Sequence, residues 1–166
     1  GWRLAAEHPD RISRYVAMSV GAPGSRTTMQ QREKSWYMLF FRQTGLAEEQ
    51  LKANNWELFR EWSHNAVDID RWIANLSRPG ALTAALNWYR ATGNVAPAAP
   101  SRTVQCPVLG LWSDGDHYLT EDPLKTSGQR ISGPFQYKRI AGASHWMMVD
   151  RPAEINAALL AFLTRS

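Results

Sequence analysis

The chain has 166 residues, of which 44% are apolar and 11% aromatic, eight of them tryptophan, with a formal net charge of +4 and a pI near 9.5. Its Lys and Arg residues are scattered, with no basic run interleaved with aromatics, and no apolar run reaches bilayer length; nucleic-acid binding and a membrane span are both disfavoured. The single cysteine, Cys106, rules out an internal disulfide and reads as a small buried side chain before Pro107, which fits a reducing, cytoplasmic setting.

In chain order, GWRLAAEHPDRI forms a short helix that stops at Pro9, and residues 15–20 follow as a buried strand. A helix feeding a strand is the second half of a crossover, so the chain is expected to begin inside a fold whose first strands lie upstream. After the turn-rich GAPGS, residues 29–94 read as helices punctuated by Gly45, Ser77-Arg78-Pro79-Gly80 and Gly93-Asn94. In the helical stretch MQQREKSWYMLFFRQTG, residues Trp36, Tyr37, Phe40 and Phe41 form one stripe. In PGALTAALNWYRATG, residues Leu82, Ala85, Leu86 and Tyr89 share an apolar face. NVAPAAPS, at 94–101, is a proline and alanine linker.

The remainder returns to α/β order. It comprises a strand at 108–112, a loop with Asp114 and Asp116, a helix-like segment, a strand at 135–140 and the loop GASHWMMVDRP (142–152). A closing helix starts at Pro152, with Ile155, Leu159, Phe162 and Leu163 at helical spacing. The expected architecture is a partial α/β core at 1–23 and 102–166, a mostly parallel sheet flanked by helices, with an all-helical lid and its linker at 24–101.

His145 and Asp116 both follow strands, at the sheet edge where α/β proteins bind ligands. An Asp followed about thirty residues later by a His is the tail of the α/β-hydrolase order, in which the nucleophile comes first. A carboxylate that holds one imidazole nitrogen leaves the other free to take a proton. Asp116 is preferred, and Asp114, nearer the strand, is the competitor whose side chain could instead turn the loop. His117, His145, Asp114 and Asp116 lack metal-ligand spacing. AMSVG, with Ser19, is a near miss to a nucleophile elbow but continues as irregular chain rather than helix.

Taken together, these motifs resemble the epoxide hydrolase branch of the α/β-hydrolases. GWRLAAEHPDRI and RYVAMSV resemble the segment after the nucleophile elbow, WYMLFF and LNWYR the two lid tyrosine motifs, LWSDGDHYLTE the acid loop and GASHWMMVDRP the base loop. The resemblance covers essentially the whole chain. It implies hydrolysis of an epoxide to a vicinal diol through an alkyl-enzyme ester, without cofactor or metal. Tyr37 and Tyr89 would donate to the epoxide oxygen, His145 oriented by Asp116 would activate water, and Trp146 and Phe41 would line a dry pocket converging with them. The nucleophilic aspartate would lie upstream of Gly1. The implied partners are a small apolar epoxide and the N-terminal half of the fold, supplied by the same polypeptide, a second chain or an exchanged dimer. The isolated chain is expected to be inactive. The alternatives are a dehalogenase or other α/β-hydrolase, and a non-catalytic hydrolase-like fragment or binding domain.

Overall fold

The computed structural model describes residues 1–24, 28–64, 66–91 and 102–164, so the linker expected at 94–101 lies outside the described residues. Two units emerge, one formed by Gly1–Lys34 with Ala96–Ser166 and the other by Ser35–Val95. The lid was expected to begin at residue 24, whereas this division falls at Lys34; Gln31 and Lys34, in the short helix before it, are hydrogen-bonded to the backbone of residues 116–120 in the first unit.

In the first unit, α1 (Trp2–Glu7) buries Trp2, Ala5 and Ala6, the i, i+3, i+4 face that a short helix presents to a sheet. It ends at His8, the residue before Pro9, as the steric restriction on pre-proline residues requires. The strands β1 (Tyr15–Met18), β2 (Val108–Gly115) and β3 (Phe135–Ser144) form a parallel sheet in the order β1-β2-β3. Tyr15 pairs with Val108, and Val108 with Phe135.

Because side chains alternate across the pleat, β1 and β2 feed two separate cores. Ala17, Val108 and Trp112 pack with α1 residues and Leu124 on one face. Leu109, Leu111 and Ile140 pack with Met147, Ile155 and Phe162 on the other. Both faces of a parallel sheet are thereby covered, and Val108 and Leu111, each 0% exposed, contribute roughly 1.5 to 3 kcal/mol apiece by burial. The covering elements are α1, α7 (Glu121–Lys125) with a 3₁₀ turn at Thr126–Arg130, α8 (Met147–Asp150) and α9 (Pro152–Leu163), while α2 (Met29–Lys34) is hydrogen-bonded to residues 116–120.

The second unit holds α3 (Trp36–Phe40), α4 (Leu46–Trp62), α5 (Ile69–Leu76) and α6 (Ala81–Ala91) around Phe41, Leu51, Phe59, Leu82 and Leu86. Among the described residues no helix is long and apolar enough to cross a membrane.

Several expectations are adjusted. The strand expected at 15–20 stops at Met18, since Ser19 turns to φ 61°. The helix expected across MQQREKSWYMLFFRQTG is two helices, α2 and α3, separated at Ser35. Ala85 is exposed and Leu163 is 51% exposed, so the apolar faces of α6 and α9 are narrower than their spacing implied. β3 runs four residues beyond Ile140, to Ser144, because a bulge lets it keep pairing with β2.

Candidate functional site

That bulge positions His145. Ser113 pairs with Ile140 and Gly115 with Ser144, so residues 141–143 stand opposite Asp114 alone. Gly142 adopts φ +65°, and its N–H donates to Asp114 Oδ1 at 2.8 Å. A Cβ on Gly115 would lie 2.6 Å from the carbonyl oxygen of Ala143, so only glycine permits this approach of the two backbones. Asp114 thus secures the bulge, with Arg139 3.6 Å from its carboxylate.

The connection after β3 is fixed on both sides of the imidazole. Ser113 Oγ donates to the carbonyl of Ser144 at 2.6 Å, and the Ser144 N–H donates to Asp150 Oδ2 at 2.7 Å. The Trp146 N–H donates to Ser144 Oγ at 3.1 Å, and Met147 is fully buried beneath. Asp150 therefore closes the loop that carries His145.

Asp116 meets this imidazole. Its Oδ2 lies 2.8 Å from His145 Nδ1, while Oδ1 accepts from the N–H groups of Tyr118 and Leu119 at 2.8 and 2.9 Å. The Asp116 side chain is fully buried and that of His145 is 26% exposed. Burial opposes ionisation of Asp116, but the imidazole and the two N–H groups outweigh it, and its pKa falls below the ordinary carboxylate value. An ionised carboxylate only accepts, so Nδ1 carries the proton and Nε2 is left as the basic nitrogen. The ring of Tyr118 packs edge-on against His145 at 5.1 Å and Trp146 does so at 4.9 Å.

In the helical unit, Tyr37 and Tyr89 stand edge to face, 5.9 Å apart, and Phe41 touches both at 5.4 and 5.1 Å. Phe41 is 3% exposed and sits in the core of that unit. Burial pushes the Tyr89 pKa above its ordinary value, which keeps the phenol protonated. Tyr89 lies beside Arg90, whose guanidinium donates to both oxygens of Glu48 at 2.8 Å. Among the described residues, no group of three or more His, Cys, Asp and Glu side chains is placed to hold a metal ion.

The sequence had not pointed to Tyr118, Gln31, Lys34, Ser144 or the Glu48–Arg90 pair. Only Glu48, three residues after Gly45 at the start of α4, carried a local signal, that of a capping residue.

A parallel sheet with a carboxylate and an imidazole on successive post-strand loops defines the C-terminal portion of an α/β-hydrolase fold. The fold is shared with an epoxide hydrolase from Bacillus megaterium, 19% identical with a TM-score of 0.81, matched over 99% of this chain and 65% of that one. By sequence, the chain is similar to curated epoxide hydrolases. It is 32% identical over 181 residues to Epoxide hydrolase 2 of Caenorhabditis elegans, covering 98% of this chain and 50% of that protein. It is 26% identical over 214 residues to Epoxide hydrolase A of Mycobacterium tuberculosis, covering 98% of this chain and 65% of that protein. The chain thus spans between half and two thirds of the length of these curated relatives. No protein-family model matches it.

Proposed function

We propose that this chain is the part of an epoxide hydrolase that supplies the acid, the base and the two phenols, acting on a small apolar epoxide together with the part of the fold that bears an aspartate nucleophile. In the first step the aspartate attacks a ring carbon and the C–O bond opens. Tyr37 and Tyr89 donate to the epoxide oxygen, and one phenol transfers its proton to the developing alkoxide. Two donors suit this step because an alkoxide is a much stronger base than a phenolate, so its charge must be met as it forms.

In the second step Nε2 of His145 takes a proton from water, and the hydroxide adds to the ester carbonyl. Asp116 stabilises the imidazolium through Nδ1–H. Collapse of the adduct releases the diol, whose departing oxygen takes the imidazolium proton, and the proton of the regenerated carboxylic acid restores the phenol. Trp146 acts as an apolar wall that keeps bulk water from the ester, whereas Phe41, expected to share that role, is enclosed in the core of its unit and supports the two phenols from behind.

The observation that favours this reading over dehalogenation is the edge-to-face pair Tyr37–Tyr89 in an aromatic surround. A halide leaving group needs donors to an anion and no acid for an alkoxide. The test is Tyr89→Phe in the complete enzyme, with diol formation and ester formation followed by rapid quench. Ester formation is expected to slow at least a hundredfold, in the range usual for loss of one proton donor. Unchanged epoxide turnover would remove Tyr89 from the mechanism.

A further inference from the structure

The loop that carries Asp116 makes almost no regular secondary structure, yet its backbone is well accounted for, and the partners come from α2. Gln31 Nε2 donates to the carbonyl of Tyr118 at 2.8 Å. Its Oε1 accepts from the Thr120 N–H at 2.8 Å and from Thr120 Oγ1 at 3.0 Å. Gln31 is 9% exposed, and its own N–H is capped by Thr28 Oγ1. One turn later Lys34 Nζ donates to the carbonyl of Asp116, and from the sheet side Trp112 Nε1 donates to the carbonyl of Leu119 at 3.2 Å.

We propose that Gln31 is a positioning residue for the carboxylate–imidazole pair, acting by holding residues 118 and 120 so that Asp116 stays aligned on His145; its effect on turnover rests on the function proposed above. The logic is one of donors and acceptors. Oδ1 of Asp116 is held by the N–H groups of Tyr118 and Leu119, so the carboxylate plane follows wherever those two peptides go. The side-chain amide of Gln31 holds one of these, the Tyr118–Leu119 peptide, from its carbonyl side, and the next peptide, Leu119–Thr120, through its N–H, as a neighbouring strand would. No other side chain substitutes well. Leucine of similar size would leave a buried carbonyl and a buried N–H unpaired. Glutamate cannot donate to the carbonyl of Tyr118. Asparagine is shorter by one methylene, about 1.5 Å.

The test compares the complete protein with Gln31→Leu and Gln31→Asn. The first readout is the low-field proton resonance of His145 Nδ1–H, and the second is the separate rates of ester formation and ester hydrolysis. Gln31→Leu is expected to abolish or broaden the resonance and to slow ester hydrolysis ten- to a hundredfold, leaving ester formation within about twofold. Gln31→Asn is expected to lose part of both, and it decides the matter if the leucine variant does not fold. A variant with a lower melting temperature but an unchanged resonance and unchanged ester hydrolysis overturns the proposal. Loss of the resonance in a protein that opens no epoxide supports the role of Gln31 while removing the epoxide reading.

Discussion

Replacing Asp116 by asparagine changes no volume to speak of, which makes it a sharp probe of the charge and the proton. Two orientations of the new amide are available. In one, the oxygen keeps the Tyr118 and Leu119 N–H groups, and the NH2 group faces Nδ1 of His145 across the 2.8 Å gap that Oδ2 now spans. In the other, the oxygen faces the imidazole and the NH2 group confronts two backbone donors. The second orientation leaves two largely buried N–H groups unpaired, on the order of 2 to 6 kcal/mol, so the first prevails. There Nδ1 must accept, the ring proton moves to Nε2, and the nitrogen proposed to deprotonate water is blocked. The carboxylate-to-amide change in comparable triads lowers turnover by about 10⁴, or about 5 kcal/mol of barrier. In the proposed mechanism ester formation does not use the imidazole, so the variant is expected to accumulate alkylated enzyme. Mass spectrometry of the quenched complete enzyme should show a protein heavier by one substrate, with diol release slowed 10³- to 10⁴-fold. Ester hydrolysis within tenfold of the parent would refute the role assigned to Asp116.

Two further outcomes test the energetics. The Arg90 guanidinium beside Glu48, by hydrogen bond first, holds that carboxyl down to about 2 against an ordinary 4.5. Because the folded value is the lower one, the stabilisation is fully present above pH 4.5 and is lost as the pH falls towards 2. The melting temperature of Glu48→Gln should therefore lie below the parent's at pH 6 and converge with it near pH 2; a constant gap across that range would contradict the pairing. Leu111→Ala, at a fully buried position on the central strand, should cost about 2 to 5 kcal/mol in denaturant titration of the complete protein, and a cost below about 1 kcal/mol would mean that this face of the sheet is not packed as described.

The parts of the structure that announce themselves in the sequence are those governed by local pattern. The apolar run 108–112 with its following acidic loop is β2 and the start of the Asp116 turn, and the helix opened by Pro152 is α9. The extension of β3 to Ser144 was hidden because it depends on a bulge opposite Asp114, where Gly142 and Ala143 carry no strand signal of their own. The break between α2 and α3 was hidden because a continuous helical period spans Ser35, while Gln31 and Lys34 bind the Asp116 loop. The same holds for Gln31 itself: its partners lie 87 and 89 residues away, and a side chain that pairs with distant backbone leaves no periodic trace. The Asp116–His145 contact could be read as a pairing of residue types, but the division of work between the two carboxylate oxygens could not.

The broken course of α4 has a consequence for how the two phenols are supported. Asn54, Asn55 and Trp56 all have positive φ, so the segment is effectively two rods joined at a corner. Asparagine tolerates such a conformation, whereas Trp56 is held there at some steric cost, with its ring packed on Phe59 at 5.6 Å. The leading rod grips Arg90 through Glu48 and so braces the neighbourhood of Tyr89, while the trailing rod presents Trp62 to Tyr37 at 5.3 Å. Each phenol therefore has a buttress on a different rod, and a shift of either rod would reach one ring first and the other through the Tyr37–Tyr89 and Phe41 contacts.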